Sequence, residues 1–320
     1  MQRRLVLSAL AAAAFGPAFA QGRYPNKPIT LLVPFAPGGI ADITARTVAQ
    51  AMGQALGQVF VIDNRPSAGS IVASQVVAKA TPDGYTLLLM SNANAVSASL
   101  FRKLPFDVVK DFAPVSTLGF FEMVVCVRAD SRFKNLRELV TFGKANPGKL
   151  TLATIAVGST QHLAAELFKS RTGIDAVIVP YKGSPAVINA LRAGEVDAAF
   201  EILGPTLGQI SSGVVRAIAV SGDKRNPALP DVPTVIESGV PNYVVESWNA
   251  LAAPTGTPKD VIERLNKAAR DAVASPEVAK RLRELGVRPQ AGTPAQAEAL
   301  LVGEIKRWRE VIAAAKIEPE

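Results

Sequence analysis

Residues 29–46, ITLLVPFAPGGIADITAR, decide how the chain folds, because they place a strand, a tight turn and a helix in immediate succession. The run from Ile29 to Phe35 is apolar and suits a strand, and Pro37-Gly38-Gly39 interrupts it. Apolar residues then recur at helical spacing, which predicts a helix beginning near Ile40. The first N–H groups of a helix lack intrahelical partners and carry the positive end of its dipole. The stretch therefore predicts a backbone site for a carboxylate or phosphate, although ordinary α/β construction gives the same pattern.

The same order of parts returns in the middle of the chain. At 149–168, KLTLATIAVGSTQHLAAELF, another strand-like run reaches Gly158-Ser159-Thr160 and passes into a helix. Residues 86–94 indicate a strand that ends in a polar loop, and 176–200 indicate strand, loop, helix and strand. This alternation predicts an α/β fold with mostly parallel sheets flanked by helices. Ligands of such sheets bind at the carboxyl ends of the strands, where these loops lie.

The first 20 residues have the parts of a secretory signal peptide. Two arginines precede an apolar run from Leu5 to Phe15, and small residues stand before Gln21. We therefore expect residues 1–20 to be removed on export. No later stretch approaches the roughly 18 apolar residues that a spanning helix needs, so we expect a soluble periplasmic protein.

Composition argues against several classes of function. Cys126 and His162 are each the only residue of their type, which excludes an intramolecular disulfide and disfavours a Cys/His zinc site. The net charge of +8 falls by two to +6 when Arg3 and Arg4 leave with the signal peptide, and no basic run with interleaved aromatic residues indicates a nucleic-acid partner. We expect no metal and no cofactor.

A catalytic pairing of His162 with Ser159 is also disfavoured. The two residues stand three apart, no acidic residue is recognisable as an orienting partner, and no Gly-x-Ser-x-Gly pattern surrounds the serine. We therefore expect a protein that is not an enzyme, with His162 packed near the helix start.

The chain is long enough for two domains, since about 300 mature residues can bury two cores. Segment 222–247 is rich in proline and glycine and reads as a connection. After Ala253 the chain is almost wholly helical, with start signals at Thr257-Pro258, at Ser275-Pro276, and at Thr293-Pro294 with Gln296.

Seven motifs in this order resemble one family, the Bug-type solute receptors of tripartite tricarboxylate transporters. They are YPNKPITLLVPFAPGGIADITAR, VIDNRPSAG, TPDGYTLL, GSTQHLAAELF, VPYKG, LPDVPTVIESG and APTGTP. The resemblance implies a two-lobed periplasmic-binding-protein (Venus flytrap) fold, with one lobe formed by 24–122 plus 246–320 and the other by 123–245. It also implies a monomer that captures a small organic carboxylate and presents it to membrane permease subunits. A receptor that reports the carboxylate to a signalling partner is the alternative.

The resemblance also implies which residues contact the solute. From the first lobe these are Phe35, Ala36, Pro37, Gly38 and Gly39, followed by Ser91 and Asn92. From the second lobe they are Gly158, Ser159, Thr160, Tyr181, Lys182, Phe200 and Glu201. Asp42 is expected to support its helix dipole rather than the solute, and Lys182 suits a solvated loop as well as a contact.

Two departures from the family pattern bear on the choice of solute. Thr154-Ile155-Ala156 and Leu203-Gly204-Pro205 stand where hydroxyl-bearing residues are common in the family. Since a buried polar group without a partner costs a few kcal/mol, we expect aromatic or aliphatic mono- or dicarboxylates to be preferred over citrate, with Phe35 and Phe200 adding apolar wall. Glu201 would repel a carboxylate unless it is protonated, screened or turned toward a donor, and would accept from an ammonium or hydroxyl group.

Overall fold

A computed structural model describes residues 24–314 and 316–318. The predicted signal peptide, residues 1–20, lies outside the described residues. Within the described part of the chain, no helix combines the length and the apolar character needed to cross a bilayer.

The first sheet contains a parallel group of three strands. β1 (Ile29–Val33) pairs with both β2 (Phe60–Asn64) and β3 (Thr86–Ser91). The helices of this part are α1 (Ile40–Leu56), α2 (Ile71–Ala78) and α3 (Asn92–Leu100). Because the strands are parallel, their carboxyl ends lie at one edge of the sheet, beside the starts of α1 and α3.

The second sheet repeats this arrangement. β5 (Leu150–Ile155) pairs in parallel with β6 (Ala176–Tyr181) and β7 (Ala198–Ile202). Its helices are α4 (Leu136–Ala145), α5 (Thr160–Thr172), α6 (Ser184–Ala193) and α7 (Leu203–Ser211). The starts of α5 and α6 and the end of β7 therefore share one sheet edge.

One long strand joins the two sheets. β4 (Phe112–Arg128) is antiparallel to β9 (Glu246–Pro254) as far as the pair Glu122 and Glu246, and then pairs with β7 from Met123 and with β8 (Val215–Val220). β9 also pairs antiparallel with β3. The resulting strand order is β2-β1-β3-β9-β4-β7-β5-β6, so β4 and β9 carry the chain between the sheets. The sequence predicted the parallel groups correctly but not these antiparallel strands.

The C-terminal helices are α8 (Lys259–Ala274), α9 (Pro276–Glu284) and α10 (Pro294–Ala314), with the short strand β10 (Arg288–Pro289) between the last two. α8, α10 and β10 all contact β4. Two of the three predicted start signals are confirmed. Ser275 accepts a hydrogen bond from the N–H of Val278, and Thr293 and Gln296 bond reciprocally as a capping box. At the third signal a helix also begins, but one residue later than predicted: Pro258 is the N-cap residue of α8, and the Thr257 hydroxyl donates to Pro254 O instead of capping the helix.

Apolar side chains from both sheets form one large core and a smaller second cluster around β7 and α6. Trp248, Trp308 and Cys126 are fully buried in these cores. The rigid frame thus formed holds the polar strand ends at the edge where the two sheets meet.

Candidate functional site

The turn before α1 is held by a buried carboxylate. Asp42 accepts hydrogen bonds from the N–H of Gly38 at 2.9 Å, from Arg46 Nε at 3.0 Å and from Asn64 Nδ2 at 2.9 Å. Asn64 Nδ2 also donates to Phe35 O, which ties the turn to β2. Burial by itself would raise the pKa of Asp42, but these hydrogen bonds and the Arg46 charge hold it below its usual range. The expectation that Asp42 supports the helix start fits this geometry.

The anion site predicted at α1 has fewer free N–H groups than the motif Pro37-Gly38-Gly39 suggested. Pro37 has no N–H, and the N–H of Gly38 is occupied by Asp42. Gly39 is the N-cap residue and has no side chain that can accept from the N–H groups that follow. The helix start is thus open at Ile40 and Ala41, and the loop 36–39 before it is exposed.

The start of α5 differs, because it carries its own cap. Ser159 Oγ accepts from the N–H of His162 at 3.1 Å and donates to Ile155 O at 3.3 Å. Gly158 has φ of +79°, and a Cβ at this position would lie 2.6 Å from Leu100 Cδ2 of α3. The positive φ therefore favours a glycine there, and any side chain would also have to displace Leu100.

A chain of buried hydrogen bonds connects the two sheet edges. Asn92 Nδ2 donates to Thr160 Oγ1 at 3.1 Å, and Thr160 Oγ1 donates to Ser247 Oγ at 3.2 Å. On its other side, Asn92 Oδ1 accepts from Trp308 Nε1 at 2.7 Å. The carboxyl end of β3, the start of α5, the strand β9 and the helix α10 therefore meet at one point. Ser91 lies beside it and caps α3 by accepting from the N–H of Ala93 at 3.2 Å.

Glu201, near the end of β7, is 1% exposed. Its Oε2 accepts from Ser184 Oγ at 2.7 Å and from the N–H of Ile202 at 3.3 Å. Burial raises the pKa of Glu201 to about 7, opposed by the hydrogen bonds from Ser184 and Ile202 and by the Gln161 amide beside the carboxyl group. Its other oxygen, Oε1, and the nearby Gln161 Nε2 have no hydrogen-bond partner among the described residues. Such orphaned polar atoms are costly and call for an explanation.

The other residues that the sequence predicted at this sheet edge differ in how far their side chains are buried. Tyr181 stands beside Ile155 in the strand register and is half-buried, whereas Lys182 is exposed. Phe200 is fully buried, with its ring centroid 5.5 Å from that of Phe168. Because successive residues of a strand face opposite sides, Phe200 serves the core while Glu201 does not. The expected apolar wall is left to Phe35, which is half-buried.

No catalytic constellation forms around Ser159. Its hydroxyl proton is directed to Ile155 O, and only the backbone of His162 bonds to it. Burial and the Lys169 charge lower the pKa of His162 to about 4. Within residues 24–314 and 316–318, no three His, Cys, Asp or Glu side chains are grouped as a metal site would need.

These features can be compared with known proteins. Residues 44–317 match the model of the family described as the tripartite tricarboxylate transporter family receptor. The chain belongs to this family. Its members are solute-binding receptors and not enzymes.

Solved structures give the same result. The periplasmic binding protein BugD is similar with a TM-score of 0.83 and 33% identity, covering 93% of this chain and 100% of BugD. R. palustris Rpa4515 with adipate has a TM-score of 0.84 and 34% identity, with the same coverage of 93% and 100%. MatC from Rhodopseudomonas palustris with bound malate has a TM-score of 0.80 and 32% identity, covering 90% and 100%. The predicted α/β receptor fold and the Bug-type resemblance are confirmed.

The sequence did not predict four residues whose side chains lie at the edge where the two sheets meet. Gln161 and Ser184 flank Glu201, and Ser247 and Trp308 complete the chain through Asn92. Gln161 and Ser184 stand in the first turns of helices that follow predicted strands, so their placement was available as a signal. Ser247 and Trp308 are distant in sequence and carried no such signal.

Proposed function

We propose that this receptor captures a small organic carboxylate between two lobes and delivers it to the permease of a tripartite tricarboxylate-type transporter. The lobes are formed by 24–122 plus 246–320 and by 123–245. β4 changes its partner from β9 to β7 after Glu122, and β9 begins at Glu246, which supports these boundaries.

The uncapped start of α1 is the observation that carries the proposal. Unpaired N–H groups at the positive end of a 17-residue helix attract a carboxylate without a lysine or arginine. A second helix start, that of α5, lies at the facing edge and is linked to the first sheet through Asn92 and Thr160. The adipate and malate in the two R. palustris structures are small dicarboxylates. Because this chain is similar to both proteins, we expect it to bind a solute of the same kind.

We assign the first-lobe contacts to the loop Phe35–Gly39, extended to the N–H groups of Ile40 and Ala41, with Ser91 and Asn92 beside it. The second lobe lines the cleft with Gly158, Ser159, Thr160, Tyr181, Lys182 and the Glu201 region. Ser159 and Asn92 already have protein partners, so we assign them the shaping of the cleft.

Closure of the lobes is the proposed mechanism. The chain passes between the two sheets at Glu122 and Glu246. The backbone at these residues absorbs the rotation of one lobe against the other, because few other segments connect the sheets. A closed cleft excludes water, and each hydrogen bond from a helix start to the carboxylate is then stronger than in an open one. The receptor needs neither a metal nor a cofactor for this task, and acts as a monomer.

Export to the periplasm is proposed from the residues of the chain start and from the similarity to BugD, a periplasmic binding protein.

A thermal-shift panel tests the function. Adipate, malate, citrate, benzoate and glutamate would each be added in excess to the mature chain, since a ligand at 100 times its dissociation constant stabilises by about 2.7 kcal/mol. We expect aliphatic dicarboxylates or aromatic acids to raise the melting temperature more than citrate, because Ile155 and Ala156 offer no side-chain hydrogen bonds. If no carboxylate shifts the transition, the proposed function is wrong.

A further inference from the structure

Glu201 and Gln161 have more hydrogen-bonding capacity than the surrounding protein uses. Their side chains are 1% and 2% exposed, yet Glu201 Oε1 and Gln161 Nε2 find no partner among the described residues. They lie between the starts of α5 and α6, at the carboxyl edge of three parallel strands. Thr160, the residue before Gln161, is the one bonded to Asn92 of the other lobe.

The hydrogen bonds that Glu201 does make determine where a proton would reside. Oε2 accepts from both Ser184 Oγ and the Ile202 N–H, so its lone pairs are occupied. A proton on this carboxyl group therefore belongs on Oε1. The protonated Oε1 and the Gln161 amide then present two donors, which is the complement of a carboxylate.

We propose that Glu201 and Gln161 form a subsite that binds one carboxylate of a dicarboxylate solute together with a proton on Glu201. This inference rests on the proposed carboxylate-binding function and assigns the second end of the solute. The first carboxylate sits at the start of α1. The proton comes from water, and Glu201 keeps it for as long as the solute is bound, because ionisation would place two carboxylates side by side.

The groups around Glu201 leave it as the titrating residue of this subsite. Gln161 on α5 and Ser184 on α6 are uncharged, and β5 and α7 contain no ionisable side chain. Cys126 on β4 is buried, and burial together with the Glu201 charge raises the pKa of its thiol. His162, beside Gln161, is neutral above pH 6 because its pKa is lowered to about 4. Glu166, one turn further along α5, has a pKa raised by burial and moderated by Lys169.

The proposal predicts how affinity depends on pH. Free Glu201 has a pKa of about 7, so at pH 6 about nine in ten free molecules already carry the proton and binding takes up little. At pH 8 about nine in ten free molecules are ionised, and binding should take up close to one proton. The association constant should therefore be nearly flat below about pH 6, fall about twofold by pH 7, and fall up to about tenfold per pH unit above that.

Calorimetric titration of the mature chain with adipate and with malate tests this, at pH 6, 7 and 8 and in two buffers of different ionisation enthalpy. Glu201→Gln keeps a neutral side chain with a donor and an acceptor. It should bind at pH 6 within a few-fold of wild type, and lose both the proton uptake and the pH dependence. Glu166→Gln is the matched control and should keep both.

The possible outcomes distinguish failure of the Glu201 subsite from failure of the carboxylate-binding function. Binding of a dicarboxylate by wild type without proton uptake at pH 8, or with uptake that persists in Glu201→Gln, overturns the subsite and leaves the receptor function standing. Loss of binding in a folded Glu201→Gln at every pH also overturns it, since that result means the anionic carboxylate accepts from a donor group of the solute. Failure of wild type to bind either acid overturns the carboxylate function itself.

Discussion

Replacing Gly39 with serine should weaken solute binding while slightly stabilising the fold. Gly39 is the N-cap of α1, with φ of −78° and ψ of 169°, close to the −71° and 160° of Ser159, which caps α5. A Cβ at position 39 meets only Ala36 O, at an ordinary 3.7 Å. The introduced hydroxyl should therefore accept from the first-turn N–H groups of α1, as Ser159 does for α5.

The two effects differ in sign and size. Serine is a better N-cap than glycine by a few tenths of a kcal/mol, so the free energy of unfolding should rise by about that amount. A hydrogen bond to a charged group contributes about 1.5–3 kcal/mol, and each 1.4 kcal/mol is tenfold in affinity. Competition for one such bond should therefore raise the dissociation constant about 10- to 100-fold.

Calorimetric titration with adipate measures the dissociation constant, and urea unfolding measures the free energy of unfolding. Gly303→Ser, on the exposed face of α10 with nothing within 4 Å of its would-be Cβ, makes the same change of atoms away from the site and should leave affinity unchanged. An unaltered dissociation constant in Gly39→Ser, with the variant folded, would refute the role of the α1 start.

Three further predictions concern stability. Gly38→Ala should cost about 1 kcal/mol in urea unfolding, because φ of +82° is unfavourable for alanine although nothing lies within 4 Å; an unchanged midpoint would contradict the strain. Asn92→Ala should cost about 1–3 kcal/mol, because Thr160 and Trp308 lose a buried partner while keeping Ser247 and Glu304; full stability would show that the bridge adds nothing. Glu201→Gln should gain stability relative to wild type between pH 5 and pH 8. The folded pKa of about 7 lies above the 4.5 of an ordinary glutamate, so wild type loses about 3 kcal/mol as pH rises through that window, and an equal difference at both pH values would refute it.

The periodic parts of the chain made the parallel sheets predictable. β1 and β5 are short apolar runs that end at glycine turns, and local sequence alone fixes such elements. The antiparallel pairing of β4 with β9 joins residues more than a hundred positions apart. Tertiary contact decides that pairing, and no local pattern encodes it.

The site was predictable at the level of loops but not of atoms. The helix starts at Ile40 and Thr160 follow from sequence, yet their difference depends on which residue occupies the N-cap and where its side chain turns. Gly204 illustrates the limit. Its lack of a hydroxyl suggested an apolar cleft, but its backbone lies directly against that of Leu285 and Gly286, so close packing of α7 against the turn after α9 also requires a glycine there.

The central claim is that a small carboxylate binds at the uncapped start of α1, facing the start of α5. A crystal structure of the mature chain grown with adipate tests it most directly. We expect density for the dicarboxylate between the two helix starts, with one carboxylate group within hydrogen-bond distance of the N–H groups of Ile40 and Ala41. Adipate bound elsewhere, with those N–H groups facing only water, would contradict the claim.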